Sequence, residues 1–152
     1  MSFRDFIYYV GEVIMYCQVI ENDIKHIYAS MLNGDYKANF YNLLKEKMTL
    51  GQTIINLQEL DYSDNDHFFN ADDYEYLLKI TSIRNHWAHS GYIKFIYLDN
   101  FPTSSEYEAE SQRLKEDHDK LKEYYKIVND TRKKAEKEYG RIIGSRWAYF
   151  YI

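Results

Sequence analysis

Residues 103–139 read TSSEYEAESQRLKEDHDKLKEYYKIVNDTRKKAEKEY, and their pattern sets the fold class. Thr103 and Glu106 have capping-box spacing just after Pro102, a start signal for a helix. Tyr107, Leu114, Leu121, Val128 and Ala135 then recur every seven residues, with Tyr124 and Tyr125 beside them. This predicts one helix to about Tyr139 that presents a narrow seam to a neighbouring helix. Gly140 and Gly144 are expected to end it. The closing run Trp147 to Ile152 would be an apolar patch if left loose, so it is expected to dock on the domain or on a second subunit.

The same periodicity extends upstream. From about Phe3 to Leu32, apolar residues at Ile7, Val10, Ile14, Cys17, Ile24, Tyr28 and Met31 fall on one helical stripe. Glu21 occupies the slot in that stripe between Cys17 and Ile24. An acid in a core-facing seam is costly unless cations or donors meet it, so Glu21 either faces a basic partner such as Arg84 or sits where the stripe is open to water. Asn33-Gly34-Asp35 reads as a stop and a new N-cap. Behind it a second helix is predicted to about Lys47, with Phe40, Leu43 and Leu44 turned inward. Thr49 is expected to cap a third helix through Leu60.

Residues 61–71 are rich in Asp, Asn and Ser and predict a surface loop. Asp61, Asp64, Asp66 and His67 invite a metal reading, but the glycine and the closing glutamate of a calcium loop are missing, and no metal is assigned. Asn70 or Asp72 should cap a fourth helix over about 72–90, with Tyr76, Ile80, Ile83 and Trp87 on its core face and Gly91 as a left-handed end. Residues 92–101 fit either an extended segment or a further helical turn.

Composition narrows the class. One proline and six glycines in 152 residues leave few breaks in helix-forming sequence, so an all-α fold in a single domain is expected. Cys17 is the only cysteine, which excludes an intramolecular disulfide and fits a reducing compartment. An acid near the amino terminus and polar residues within the first apolar stretch argue against a signal peptide or membrane span, and a cytoplasmic protein is expected. The net charge of −5 argues against a general nucleic-acid coat. The charge is unevenly spread: residues 1–112 carry 8 Lys and Arg against 17 Asp and Glu, and residues 113–152 carry 11 against 7. A polyanion would therefore be met by the C-terminal part and by local arginines.

The densest cluster of potential acid, base and anion-binding groups is Arg84-Asn85-His86-Trp87-Ala88-His89, near the end of the fourth helix. On an ideal helix Asn85 and His89 share a face, and Arg84 lies between that face and the core. The spacing Arg84-Asn85-x-x-x-His89 resembles the Arg-x4-6-His motif of the HEPN domain family, and the helical arrangement upstream of it is compatible with that family. The resemblance implies a compact, up-and-down α-helical bundle of HEPN type that dimerises so that two motif helices face one cleft. It also implies a metal-independent ribonuclease of toxin–antitoxin, phage-defence or RNA-processing type. By that likeness His89 moves the proton of a 2′-hydroxyl or of the leaving oxygen, Arg84 holds the scissile phosphate, and Asn85 orients phosphate or imidazole. Glu21 and His86 are candidate supporting groups, and no cofactor or metal is implied. The implied partners are RNA, a second copy of the chain, and an antitoxin or nucleotidyltransferase. Some toxin members carry a tyrosine two residues after the histidine as a target of modification; here that place is Gly91, and Tyr92 follows. The competing expectations are a non-catalytic HEPN-like module that binds a nucleotide or a protein, and a purely structural dimer in which Arg84 pairs with Glu21.

Overall fold

A computed structural model describes residues 1–63 and 65–139. The described residues form five α-helices: α1 (Phe3–Met31), α2 (Tyr36–Lys45), α3 (Leu50–Asp61), α4 (Ala71–His89) and α5 (Ser105–Glu138). A single 3-10 turn, Phe101–Thr103, precedes α5, and no strand occurs among the described residues. The expected all-α class therefore holds. Asp64, Gly140, Gly144 and the Trp147–Ile152 run lie outside the described residues.

The chain divides into two compact units. The first comprises Met1–Val19 and Lys79–Tyr125; the second comprises Ile20–Leu78 and the chain from Lys126 on. Thus α1, α4 and α5 each contribute one part to each unit.

In the first unit Phe6, fully buried, is the hub of an aromatic core. Its ring lies 5.9 Å from Trp87, 5.2 Å from Phe95 and 5.5 Å from Tyr107. The Trp87 and Phe95 pairs are edge-on, a geometry that contributes beyond the area buried, and the Tyr107 pair is tilted. The pairings Phe6–Tyr107, Glu12–His118 and Tyr16–Tyr125 rise together in number, so α1 and α5 run parallel here. Phe6–Trp87 and Phe3–Tyr92 set α4 antiparallel to α1. The segment 92–101 is turn, closed by Ile96 N–H to Tyr92 C=O and Leu98 N–H to Phe95 C=O. Phe95, at 0% exposure, pins it into the aromatic core.

In the second unit Ala29, Tyr36, Phe40 and Leu43 pack together, with Tyr28 and Met48 at the edge. Thr49 caps α3 by accepting from Gln52 N–H at 3.1 Å, as expected. Asn70 caps α4 through a reciprocal pair: its side chain accepts from Asp73 N–H at 2.8 Å, and Asp73 accepts from Asn70 N–H at 3.1 Å. Gly34 has φ +101°, the left-handed stop read from the sequence.

Four local expectations are corrected. The buried stripe of α1 is Phe6, Val10, Val13, Cys17, Ile20, Ile24 and Ile27, so Ile20 fills the slot expected for Glu21, and Ile7 is exposed. Two apolar rows one residue apart coexist in α1, and Phe6, not Ile7, meets the other aromatics. Leu44 is likewise exposed, and Tyr36 takes its place in the core. The cap of α5 is Ser104, which accepts from Tyr107 N–H at 3.1 Å; the Thr103 hydroxyl donates to Asn100 C=O instead. Asp61 is not a loop acid but the buried last residue of α3.

Asp61 accepts from the N–H groups of Phe68 (2.9 Å) and Phe69 (3.2 Å) and from the Tyr74 hydroxyl (2.6 Å). One carboxylate thereby closes the α3–α4 connection, and burial together with that bond pushes the Tyr74 phenol up. Asp61→Ala strands three donors and should lower unfolding free energy by roughly 3 kcal/mol in urea titrations.

His26 is buried, stacks on Phe40 at 4.0 Å and bonds to the Tyr36 hydroxyl through Nδ1. Burial, with Arg132 adding repulsion, pushes its pKa from 6.5 down to about 4. The unfolded chain therefore takes up the proton first, so stability from neutral His26 is complete above pH 6.5 and is lost as pH falls toward 4. Unfolding free energy should drop over that window by up to roughly 3 kcal/mol, and His26→Gln should flatten that part of the pH profile.

Candidate functional site

The motif lies on the last turns of α4, within the first unit. Trp87 determines which way those turns face. Its ring is 1% exposed, packs edge-on against Phe6, and donates through Nε1 to Asp117 of α5 at 2.7 Å. Arg113 completes the arrangement, its guanidinium 5.9 Å over the indole and its Nε 3.8 Å from Asp117.

With Trp87 inward, residues two positions away in either direction project roughly opposite to it at 100° per residue. Asn85 and His89 are accordingly exposed, as are Ala88 and Ser90. Neither Asn85 nor His89 makes a side-chain hydrogen bond or ion pair among the described residues. Arg84 is half-buried. The observed buried row of α4 is Tyr74, Leu77, Ile80 and Trp87; Tyr76 and Ile83, expected in it, are only half-buried. Arg84 stands in register with this row, between Ile80 and Trp87, so its stem lies nearer the core than the sequence suggested.

His86 is directed to α5. Its Nε2 lies 2.8 Å from Glu110, a carboxylate with 5% side-chain exposure, and Lys94 approaches the other oxygen of that carboxylate at 3.5 Å. Glu110 thus ties both the last turn of α4 and the following turn segment to α5. The motif histidines therefore divide: His86 is hydrogen-bonded to the buried Glu110, and His89 is open. Glu21 belongs to the second unit, half-buried, with Lys25 of its own helix at 3.3 Å.

Tyr92 is half-buried, its ring 5.5 Å from Phe6 and 6.2 Å from Phe3, and burial pushes its phenol up. Gly91 is not a left-handed helix end, since the only glycine with positive φ among the described residues is Gly34. Its small size serves packing: a Cβ at Gly91 would lie 2.6 Å from Cε3 of Trp87.

Sequence reading missed Glu110, Arg113 and Asp117. A signal was present, because a heptad seam has an intermediate position three or four residues after each main one. Those positions on α5 hold Glu110, Ser111, Asp117 and His118, and Glu110, Ser111 and His118 are buried. His118 is met by Glu12 at 3.1 Å and by the edge-on Tyr9 ring at 4.5 Å. Charged groups at such positions mark where α5 receives polar partners, although the pattern cannot name them.

No protein-family model matches the chain, and no curated protein and no solved structure matches it. No helix among the described residues is long and apolar enough to cross a membrane.

Gly91→Ala should force the Trp87 ring from its slot and lower stability by about 1–3 kcal/mol, the range for an overpacked core. Trp87 should then become more solvent-accessible, with a red-shifted emission spectrum.

Proposed function

We propose that this chain is a metal-independent endoribonuclease of HEPN type in which Arg84 and His89 carry the reaction and Asn85 supports it. The observation that supports this reading best is the open His89 imidazole, which shares the outward side of α4 with Asn85 one turn away. Arg84, half-buried, borders that side. An imidazole that exchanges a proton, an arginine that grips phosphate with paired donors, and an amide that orients are sufficient for transfer to an internal nucleophile.

In the proposed reaction His89 accepts the proton of the 2′-hydroxyl as its oxygen attacks the adjacent phosphorus. The bond from phosphorus to the 5′-oxygen breaks, and that oxygen leaves with a proton. The products are a 2′,3′-cyclic phosphate and a 5′-hydroxyl. Arg84 stabilises charge developing on the non-bridging oxygens. A homodimer would supply two His89 imidazoles, one as base and one as acid, in a single cleft. An antitoxin or a nucleotidyltransferase belongs to the proposed context, but the position that carries the modified tyrosine in some toxin members is Gly91 here, and Tyr92 beside it is half-buried.

A second reading is favoured by the half-burial of Arg84, which suits an anchor that holds a bound anion without turnover. In it the chain is a HEPN-like module that binds a nucleotide or a protein.

Incubation of the purified chain with mixed RNA in chelator separates the two. Cleavage with cyclic-phosphate ends is expected, reduced by about 10²–10⁴-fold in His89→Ala, the usual contribution of a positioned acid or base. Binding without cleavage, unchanged in His89→Ala and lost in Arg84→Ala, would support the module. Equal cleavage by parent and His89→Ala would sink the assignment of the histidine.

A further inference from the structure

The C-terminal part of α5 carries many ion pairs. Arg132 reaches Asp23 at 3.2 Å and Glu136 at 2.9 Å, and Lys134 lies 5.6 Å over the Phe68 ring. Three cations on the same stretch depart from this pattern. Lys126, Lys133 and Lys137 are exposed, and none has a carboxylate within ion-pairing distance among the described residues.

Their spacing of seven and four places them within an arc of about 40°. Opposite that arc stand Tyr124, Val128 and Ala135, all buried, so the three lysines occupy the middle of the outward face. Along the axis they are about 10 Å and 6 Å apart. Asp130 is the one acid in the gap, and it too is exposed without an ion-pair partner among the described residues. Helix-dipole stabilisation accounts for Lys137 in the last turn but not for Lys126, three turns earlier, because the effect fades within a turn. Packing does not account for them either, since all three side chains are exposed. In a chain of net charge −5, a linear row of unpaired cations is a local exception whose complement is a linear anion.

We propose that Lys126, Lys133 and Lys137 form a contact edge for the phosphate backbone of single-stranded RNA. This rests on the ribonuclease reading and deepens it: the lysine edge would hold phosphate backbone without reading bases. Contacts of this kind raise affinity uniformly across sequences and show themselves as salt dependence.

The test uses the full chain carrying His89→Ala, so that bound RNA stays intact, and a fluorescein-labelled oligouridylate read by anisotropy over a salt series. Changing Lys126, Lys133 and Lys137 together to Gln should lower the slope of log affinity against log salt by about 2, from about 0.7 per phosphate contact on single strands. Changing Lys37, Lys45 and Lys47 on and after α2 to Gln alters net charge equally and should leave the slope nearly unchanged. If the slope is the same with and without the α5 lysines, or falls equally with either set, the edge is overturned while the assignment of Arg84 and His89 stands. If the His89→Ala chain binds no RNA at any salt but the active chain cleaves it, the edge is likewise overturned. If there is neither binding nor cleavage, both fail. Lysine-dependent binding to phosphatidylserine vesicles without binding to RNA would overturn the edge in favour of a membrane surface.

Discussion

Burial of one indole fixes the orientation of the candidate site. Trp87 must remove its ring from water and still satisfy its N–H, and the two demands together leave α4 one rotation. The ring meets Phe6 of α1, and the N–H meets Asp117 of α5. Gly91 leaves space for the ring one turn later, and Arg113 covers its face. The exposed positions of Asn85 and His89 follow by helical geometry from where Trp87 points, so the candidate site depends on a contact it does not itself contain.

The first unit meets its buried acid Glu110 and the half-buried Glu12 and Asp117 with similar economy. Glu110 and Glu12 each meet an imidazole, and Asp117 meets an indole N–H and a guanidinium. Taking a carboxylate out of water is costly, and only a partner at close range offsets that cost. Because His86 and Trp87 are borne by α4 and Glu12 by α1, while Glu110, Asp117 and His118 are on α5, these pairings depend on the register of α5 against α1 and α4. Apolar packing alone is less selective: the seam of α5 repeats every seven residues, so a shift by about two turns would present apolar residues again. The same logic recurs in the second unit, where Asp61 and His26 are buried, hydrogen-bonded and locally decisive.

Helix existence and placement were readable along the chain because 3.6-residue periodicity, capping side chains and Gly34 are local signals. The seam Tyr107, Leu114, Leu121, Val128 and Ala135 is buried as read. Phase was less readable. In α1 and α4 two apolar rows lie one residue apart, 100° on the helix, and periodicity weighs Phe6 and Ile7, or Tyr76 and Leu77, almost equally. The choice falls to the row that finds partners, and those partners are far away in sequence: Phe6 is selected by Trp87, Phe95 and Tyr107.

The candidate site divides along the same line. Its residue types and spacing, Arg84-Asn85-x-x-x-His89 near the end of a helix, are written in the chain, as is the concentration of cations after residue 112. Which histidine is open and which is paired is not written there. His86 and His89 are equivalent by composition and differ by 300° of helical rotation, and it is Glu110, 24 residues beyond His86, that engages one of them. Local sequence carries the propensity to form each helix and the chemistry each can display. Assigning a side chain to water or to a neighbour depends on contacts between segments distant in sequence, and these exist only once the helices have packed.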